Sequence, residues 1–149
     1  MNLRKNLVIV TRLTLAVIYF WVVADRLGLL GKAGNMGVVW GNFDTFLDYT
    51  ATLNAWMPRA VSDILGYLAT IIEIVLGVLL MTGIRLKEAS LVSASLLIVF
   101  TLSMVVSLGI SSSLDFIIFT LITIAASAFI YFETTRRVLD SSSPQKVQR

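Results

Sequence analysis

Four stretches of the chain are almost continuously apolar: about residues 7–30, 62–84, 89–109 and 114–132. Each is close to the about 20 helical residues needed to cross the roughly 30 Å hydrocarbon core of a bilayer. The pattern predicts an all-α fold, a four-transmembrane-helix antiparallel bundle. A single transmembrane domain is expected over 1–133, with a disordered cytoplasmic tail over 134–149, where Ser and charged residues take over (Arg136, Arg137, Ser141, Ser142, Ser143, Pro144).

The connections sharpen this picture. Arg85-Leu86-Lys87-Glu88 and Ile110-Ser111-Ser112-Ser113 are tight turns, and short connections make neighbouring helices antiparallel. The connection between the first two spans is long, about 31–61. Gly28, Gly31, Gly34 and Gly37 recur along its start without the spacing of a nucleotide-binding loop, and read as a flexible exit from the first helix. Beyond it, Phe43, Phe46, Leu47, Thr50 and Leu53 share one helical face. Asn42 suits an N-cap, Asp44 suits the positive helix end, and Pro58 lies past the far end. The expected element is an amphipathic helix over about 42–55, too short to span. It either lies in the interface, with Trp40, Tyr49 and Trp56 as anchors, or caps the mouth of the bundle.

Composition agrees with the pattern. The 149 residues are 57% hydrophobic and 14% charged, with mean hydropathy +0.87. Soluble domains carry about 25% charged residues, and a soluble fold of this length could not hide so much apolar side chain. The formal charge of +3 reflects basic residues at span ends rather than a nucleic-acid partner. Arg4, Lys5, Arg85, Lys87, Arg136, Arg137, Lys146 and Arg149 fall on one side of the four spans, and Lys32 and Arg59 on the other. Basic residues favour the inside, so both termini are expected in the cytoplasm of a multi-pass protein of the bacterial inner membrane. The start of the chain has features of a cleavable signal, with Arg4 and Lys5 before an apolar run and small residues before Asp25. Arg12 within the run, Trp21 near the site and continuation to Leu30 favour a retained helix.

The chain contains no Cys and no His. Dithiol chemistry, a bis-His haem and a Ser-His-Asp triad are thereby excluded. No metal site and no intrinsic cofactor are expected, and no catalytic residue can be named; the protein is not expected to be catalytic on its own.

The sharpest chemical feature is Glu73, roughly 16 Å from either end of the second span by helix rise. A charge there costs about 2.5–3.5 kcal/mol on insertion scales. Protonating an ordinary glutamate at neutral pH costs about 3.7 kcal/mol. The two costs are comparable, so Glu73 is expected either to keep a proton or to find a cation. Arg12, in the first span, is the natural partner at an axial gap of roughly 9 Å. Arg26 approaches from the other side with a similar gap, with Asp25 beside it. Gly77, one turn from Glu73 on the same face, would admit a backbone, a water or a ligand. This constellation is either a packing ion pair or the polar end of a pocket. The Ser and Thr residues of the last two spans are expected to serve close helix packing.

These residues resemble the DoxX family. Arg12-Leu13-Thr14-Leu15-Ala16 is similar to the family's opening, as is the run from Glu73 through Gly77 and Gly83 to Arg85. Ala24-Asp25-Arg26-Leu27-Gly28 and the segment from Trp40-Gly41-Asn42-Phe43 to Asn54 look like one subgroup. The likeness covers about residues 7–132. It implies a small four-helix protein of the bacterial cytoplasmic membrane, in a family associated with a quinol oxidase, thiosulfate oxidation and membrane redox complexes.

Two functions follow as expectations. The first is an accessory subunit of a quinone-linked membrane system, with a quinone or lipid held in a polar pocket inside the bundle. Its candidate ligand-binding residues are Arg12, Asp25, Arg26, Glu73 and Gly77, roofed by Phe43, Phe46 and Tyr49. The second is a non-enzymatic assembly or chaperone-like protein whose helices recognise another membrane protein. Partners expected in either case are the bilayer and another membrane protein or further copies of the chain. A proton-coupled transporter fits less well, because four helices would need to dimerise to form a pathway.

Overall fold

The computed structural model describes residues 3–142. Five helices follow one another: α1 (Leu3–Arg26), α2 (Phe43–Leu53), α3 (Arg59–Thr82), α4 (Leu86–Ser112) and α5 (Leu114–Ser142). All but α2 are long and apolar enough to cross a membrane. The chain is therefore an all-α, multi-pass membrane protein, with a short helix between its first and second spans.

Two antiparallel pairs build the bundle. Along α3, Ser62, Gly66, Ala69, Glu73, Leu76 and Leu80 are buried, alternating steps of four and three that keep one stripe facing a partner helix. On α1 the matching stripe contains Val8, Leu15, Tyr19 and Arg26. The core at the end away from α2 is formed by Leu15, Ala16, Tyr19, Leu76, Leu80, Ala89 and Ile130. Outside the stripes the helices expose large apolar side chains, among them Val17, Ile71, Val75, Val78 and Leu102. Such a surface is unfavourable in water and ordinary against acyl chains.

The α4–α5 pair uses small hydroxyl residues, as expected. Ser90, Ser93, Thr120, Thr123 and Ser127 are buried. Ser93 Oγ and Ser127 Oγ lie 2.9 Å apart, and Thr101 donates to Thr120 at 2.8 Å. Tyr19 ties α1 to this pair through a 2.6 Å bond with Ser93. Hydroxyls of this kind allow close backbones and satisfy themselves locally, as Ser127 does on Thr123 O.

Helix ends differ from expectation in two places. The first helix stops at Arg26 rather than 30, because Gly28 takes φ +73° and the N–H groups of Gly28 and Leu29 close a turn onto Asp25 and Ala24. The last helix runs past 132 to Ser142, through part of the segment expected to be a disordered tail. No Gly or Pro interrupts it before Pro144, and an Arg4–Glu133 ion pair at 3.7 Å ties its extension to α1. The rest of the expected tail, 143–149, lies outside the described residues. Near the expected end of the third span, Gly109 breaks α4 with φ 79° and ψ 163°. Asn42 caps α2 as expected, accepting from Thr45 N at 2.8 Å.

Gly77 lets α1 and α3 approach. A Cβ at this position would lie 2.9 Å from the Phe20 ring. Gly77→Leu should therefore destabilise the solubilised protein by about 1–3 kcal/mol, read as a lower midpoint of denaturant unfolding. Val78→Leu, on the exposed face next door, should leave that midpoint unchanged.

Candidate functional site

Where α1 ends, its last two residues turn in different directions. Asp25 and Arg26 are both buried, at 3% and 5% exposure. Asp25 faces the long connection and accepts backbone N–H bonds from Val39 (2.8 Å), Trp40 (3.2 Å) and Gly41 (2.9 Å). Three such bonds satisfy a buried carboxylate without a cation. They also fold the connection back onto α1, where Trp21 Nε1 donates to Gly37 O at 3.0 Å. The expectation of a flexible exit is thus corrected to a fastened loop. Its crossing requires glycine: a Cβ on Gly28 would meet Gly41 O at 2.9 Å.

Arg26 turns into the bundle. Its Nη1 and Nη2 donate to the two oxygens of Glu73, the latter at 3.1 Å, and Nη1 also donates to Thr70 Oγ1 at 3.1 Å. This is a two-pronged guanidinium–carboxylate pair, with Glu73 only 4% exposed. The Arg26 Cζ lies over the Phe46 ring, 3.9 Å from its centroid. Thr70 in turn donates to Gly66 O at 2.9 Å.

The expected Arg12–Glu73 pair is not formed. Arg12 donates instead to Leu80 O at 3.2 Å, at the carbonyl end of α3. A cation there meets the unsatisfied carbonyls and negative end of the helix. The axial gap favoured neither arginine; the extra acceptors at Thr70 and the aromatic face of Phe46 are what distinguish Arg26.

Above the pair lies a cavity of about 810 Å³. Its walls come from α1, the loop, and α2 through α5. Asp25, Arg26, Trp40, Phe46 and Tyr49 form its polar and aromatic end, while Ala69, Ile72, Leu96, Phe100 and Met104 form much of the rest. Trp21, Val39, Leu68 and Val99, which also line it, are all about half exposed or more, so the cavity is open to the surroundings on more than one side. Partial burial pushes the Tyr49 phenol above its ordinary pKa. A second cavity of about 60 Å³ touches Tyr19, Arg26, Glu73 and Thr123 and has room for about two waters.

Of the candidate residues, Asp25, Arg26, Phe46 and Tyr49 line the large cavity, and Glu73 lines the small one. Arg12 and Gly77 lie elsewhere, and Phe43 meets Phe46 edge-on and Tyr67 at a tilt, at 5.6 and 4.9 Å between centroids. Thr70 was not among the candidates, though its position three residues before Glu73 places it on the same face. The α4 wall had no sequence signal, because the Ser and Thr residues of that helix are spread around it rather than gathered on one face. Among the described residues, no three carboxylates gather into a group that could hold a metal ion.

Compared with protein-family models, curated proteins and solved structures, the chain matches none. Fold and site together define a small multi-pass helical membrane protein with an ion pair and an apolar cavity inside its bundle.

Three tests probe this geometry. Glu73→Gln should cost about 3–5 kcal/mol by leaving Arg26 unpaired, and the double change Arg26→Met with Glu73→Leu should recover most of that loss. The effects of Arg12→Met and Glu73→Gln should add within about 0.5 kcal/mol, measured by unfolding in detergent. Asp25→Ala should release the loop, so that trypsin cleaves after Lys32 about ten-fold faster. Ten-fold is the low end of the about 10- to 150-fold expected from losing about 1.5–3 kcal/mol of charge-assisted hydrogen bonding.

Proposed function

We propose that this chain is a DoxX-like accessory protein of a quinone-linked membrane system, and that its large cavity holds a quinone or lipid. The observation that carries the proposal is the cavity itself: about 810 Å³, within the roughly 300–1,000 Å³ usual for ligand sites. Its lining is mostly apolar and carries one buried guanidinium. A ligand held there would be anchored by its head near Arg26 and shielded by Trp40, Phe46 and Tyr49. With neither Cys nor His in the chain, electrons would pass through the ligand and a partner rather than through a protein-borne redox group.

The basic residues at the turn between α3 and α4 and at the far end of α5 support a topology with both termini in the cytoplasm of a bacterial inner membrane. In that topology α2 roofs the outer end of the bundle, and the cavity lies on the outer-leaflet side. The resemblance of the Arg12, Asp25–Gly28, Trp40–Asn54 and Glu73–Arg85 segments to DoxX proteins supports the same assignment.

The test is mass spectrometry of the protein extracted gently from its native membrane. A quinone or lipid should be retained at about one per chain. Ser103→Phe, which fills the cavity from α4, should lose it while the protein keeps its unfolding midpoint. A chain that retains no small molecule but carries a stoichiometric membrane-protein partner would instead establish the assembly function.

A further inference from the structure

We infer that the cavity selects an amphiphile with an uncharged head bearing a carbonyl oxygen, and that this oxygen accepts the N–H of Arg26 Nε. The inference rests on the reading of the cavity as a ligand site and specifies what enters it.

The donor count comes first. A guanidinium carries five N–H groups. In Arg26, Nη1 uses both of its hydrogens, on Glu73 and Thr70, and Nη2 uses one on Glu73, which leaves one hydrogen on Nη2 and the one on Nε. Nε is buried and has no acceptor among the described residues, on a side chain only 6% exposed. A buried donor without a partner is uncommon and unfavourable. Arg26 lines both cavities while Nε itself is shielded from contact with water, so an oxygen delivered through the larger cavity completes this donor as the guanidinium turns toward it.

Charge then narrows the head group. The positive charge of Arg26 is already met by Glu73. The negative charge of Asp25, on the same cavity wall, is met by backbone N–H groups of the loop. An anionic head would approach a site with two carboxylates and one guanidinium. A cationic head would approach a guanidinium with no carboxylate left free. Either would be desolvated without compensation. An uncharged carbonyl head keeps the balance and satisfies the open donor. The opening beside Leu68 and Val99 lets an apolar tail leave into acyl chains, so tail length is not restricted by the cavity volume.

The experiment uses the full chain in lipid nanodiscs and measures binding by quenching of tryptophan fluorescence, since Trp21 and Trp40 line the cavity. The probes share a tail and differ in head: methyl dodecanoate, dodecanoate, dodecyltrimethylammonium and plain dodecane. Decyl-benzoquinone separates a quinone source from an ester lipid source. Both neutral carbonyl probes should bind about ten-fold tighter than either charged probe and than dodecane, one hydrogen bond's worth of discrimination. Arg26→Lys keeps the charge opposite Glu73 and removes the Nε donor, and should erase the advantage over dodecane. Equal or tighter binding of a charged probe overturns the inference, as does an Arg26→Lys protein that keeps the advantage. If that variant does not fold, the ranking on the unaltered chain decides. Failure of every probe to bind, dodecane included, overturns the ligand-site reading and this inference with it. Dodecane binding as well as the carbonyl probes leaves that reading standing and overturns the inference alone.

Discussion

The ion pair between Arg26 and Glu73 is the constraint around which the α2 end of the bundle is organised. Taking either charge into hydrocarbon alone costs several kcal/mol, so each helix can place its charge there only if the other is present. The pair consequently sets the register of α1 against α3. With Thr70 and Phe46 as further neighbours, it also draws α2 onto the same point. The cavity lies where these elements stand apart from α4 and α5.

Asp25 extends the constraint into the connection. A carboxylate beside a guanidinium would ordinarily compete with Glu73 for it. The loop prevents this by bringing the N–H groups of Val39, Trp40 and Gly41 to Asp25. The same bonds place Trp40 against Phe46 and Tyr49, with ring centroids 5.6 and 4.7 Å apart. Adjacent residues on α1 thus hold two different parts of the site, one through a side-chain pair and the other through main chain.

The spans, their antiparallel order and the short helix with its Asn42 cap were legible in the sequence, because apolar length and cap chemistry are local properties. Glu73 was legible as well, since a carboxylate in mid-span needs an explanation wherever it occurs. Which arginine answers it was not legible. Arg12 and Arg26 lie at similar axial distances from Glu73, and the choice depends on how α1 rotates and on where Thr70 and Phe46 arrive. The loop was misread for a related reason. Its glycines look permissive one by one, and only the folded connection shows that Gly28 and Gly41 are needed for a close crossing. The α4 wall of the cavity was invisible because the Ser and Thr residues of α4 are spread around the helix rather than gathered on one face, so no side announces that it faces inward.

The location of Arg26 at the very end of α1, rather than in its middle, also bears on biosynthesis. A chain made from its N-terminus presents α1 to the membrane before residue 73 exists. A guanidinium at a helix end can wait among lipid head groups by extending toward water. Glu73, in mid-helix, has no such refuge, yet by the time it enters the bilayer its counter-ion is already in place. The more tolerant of the two charges is the one that is synthesised first.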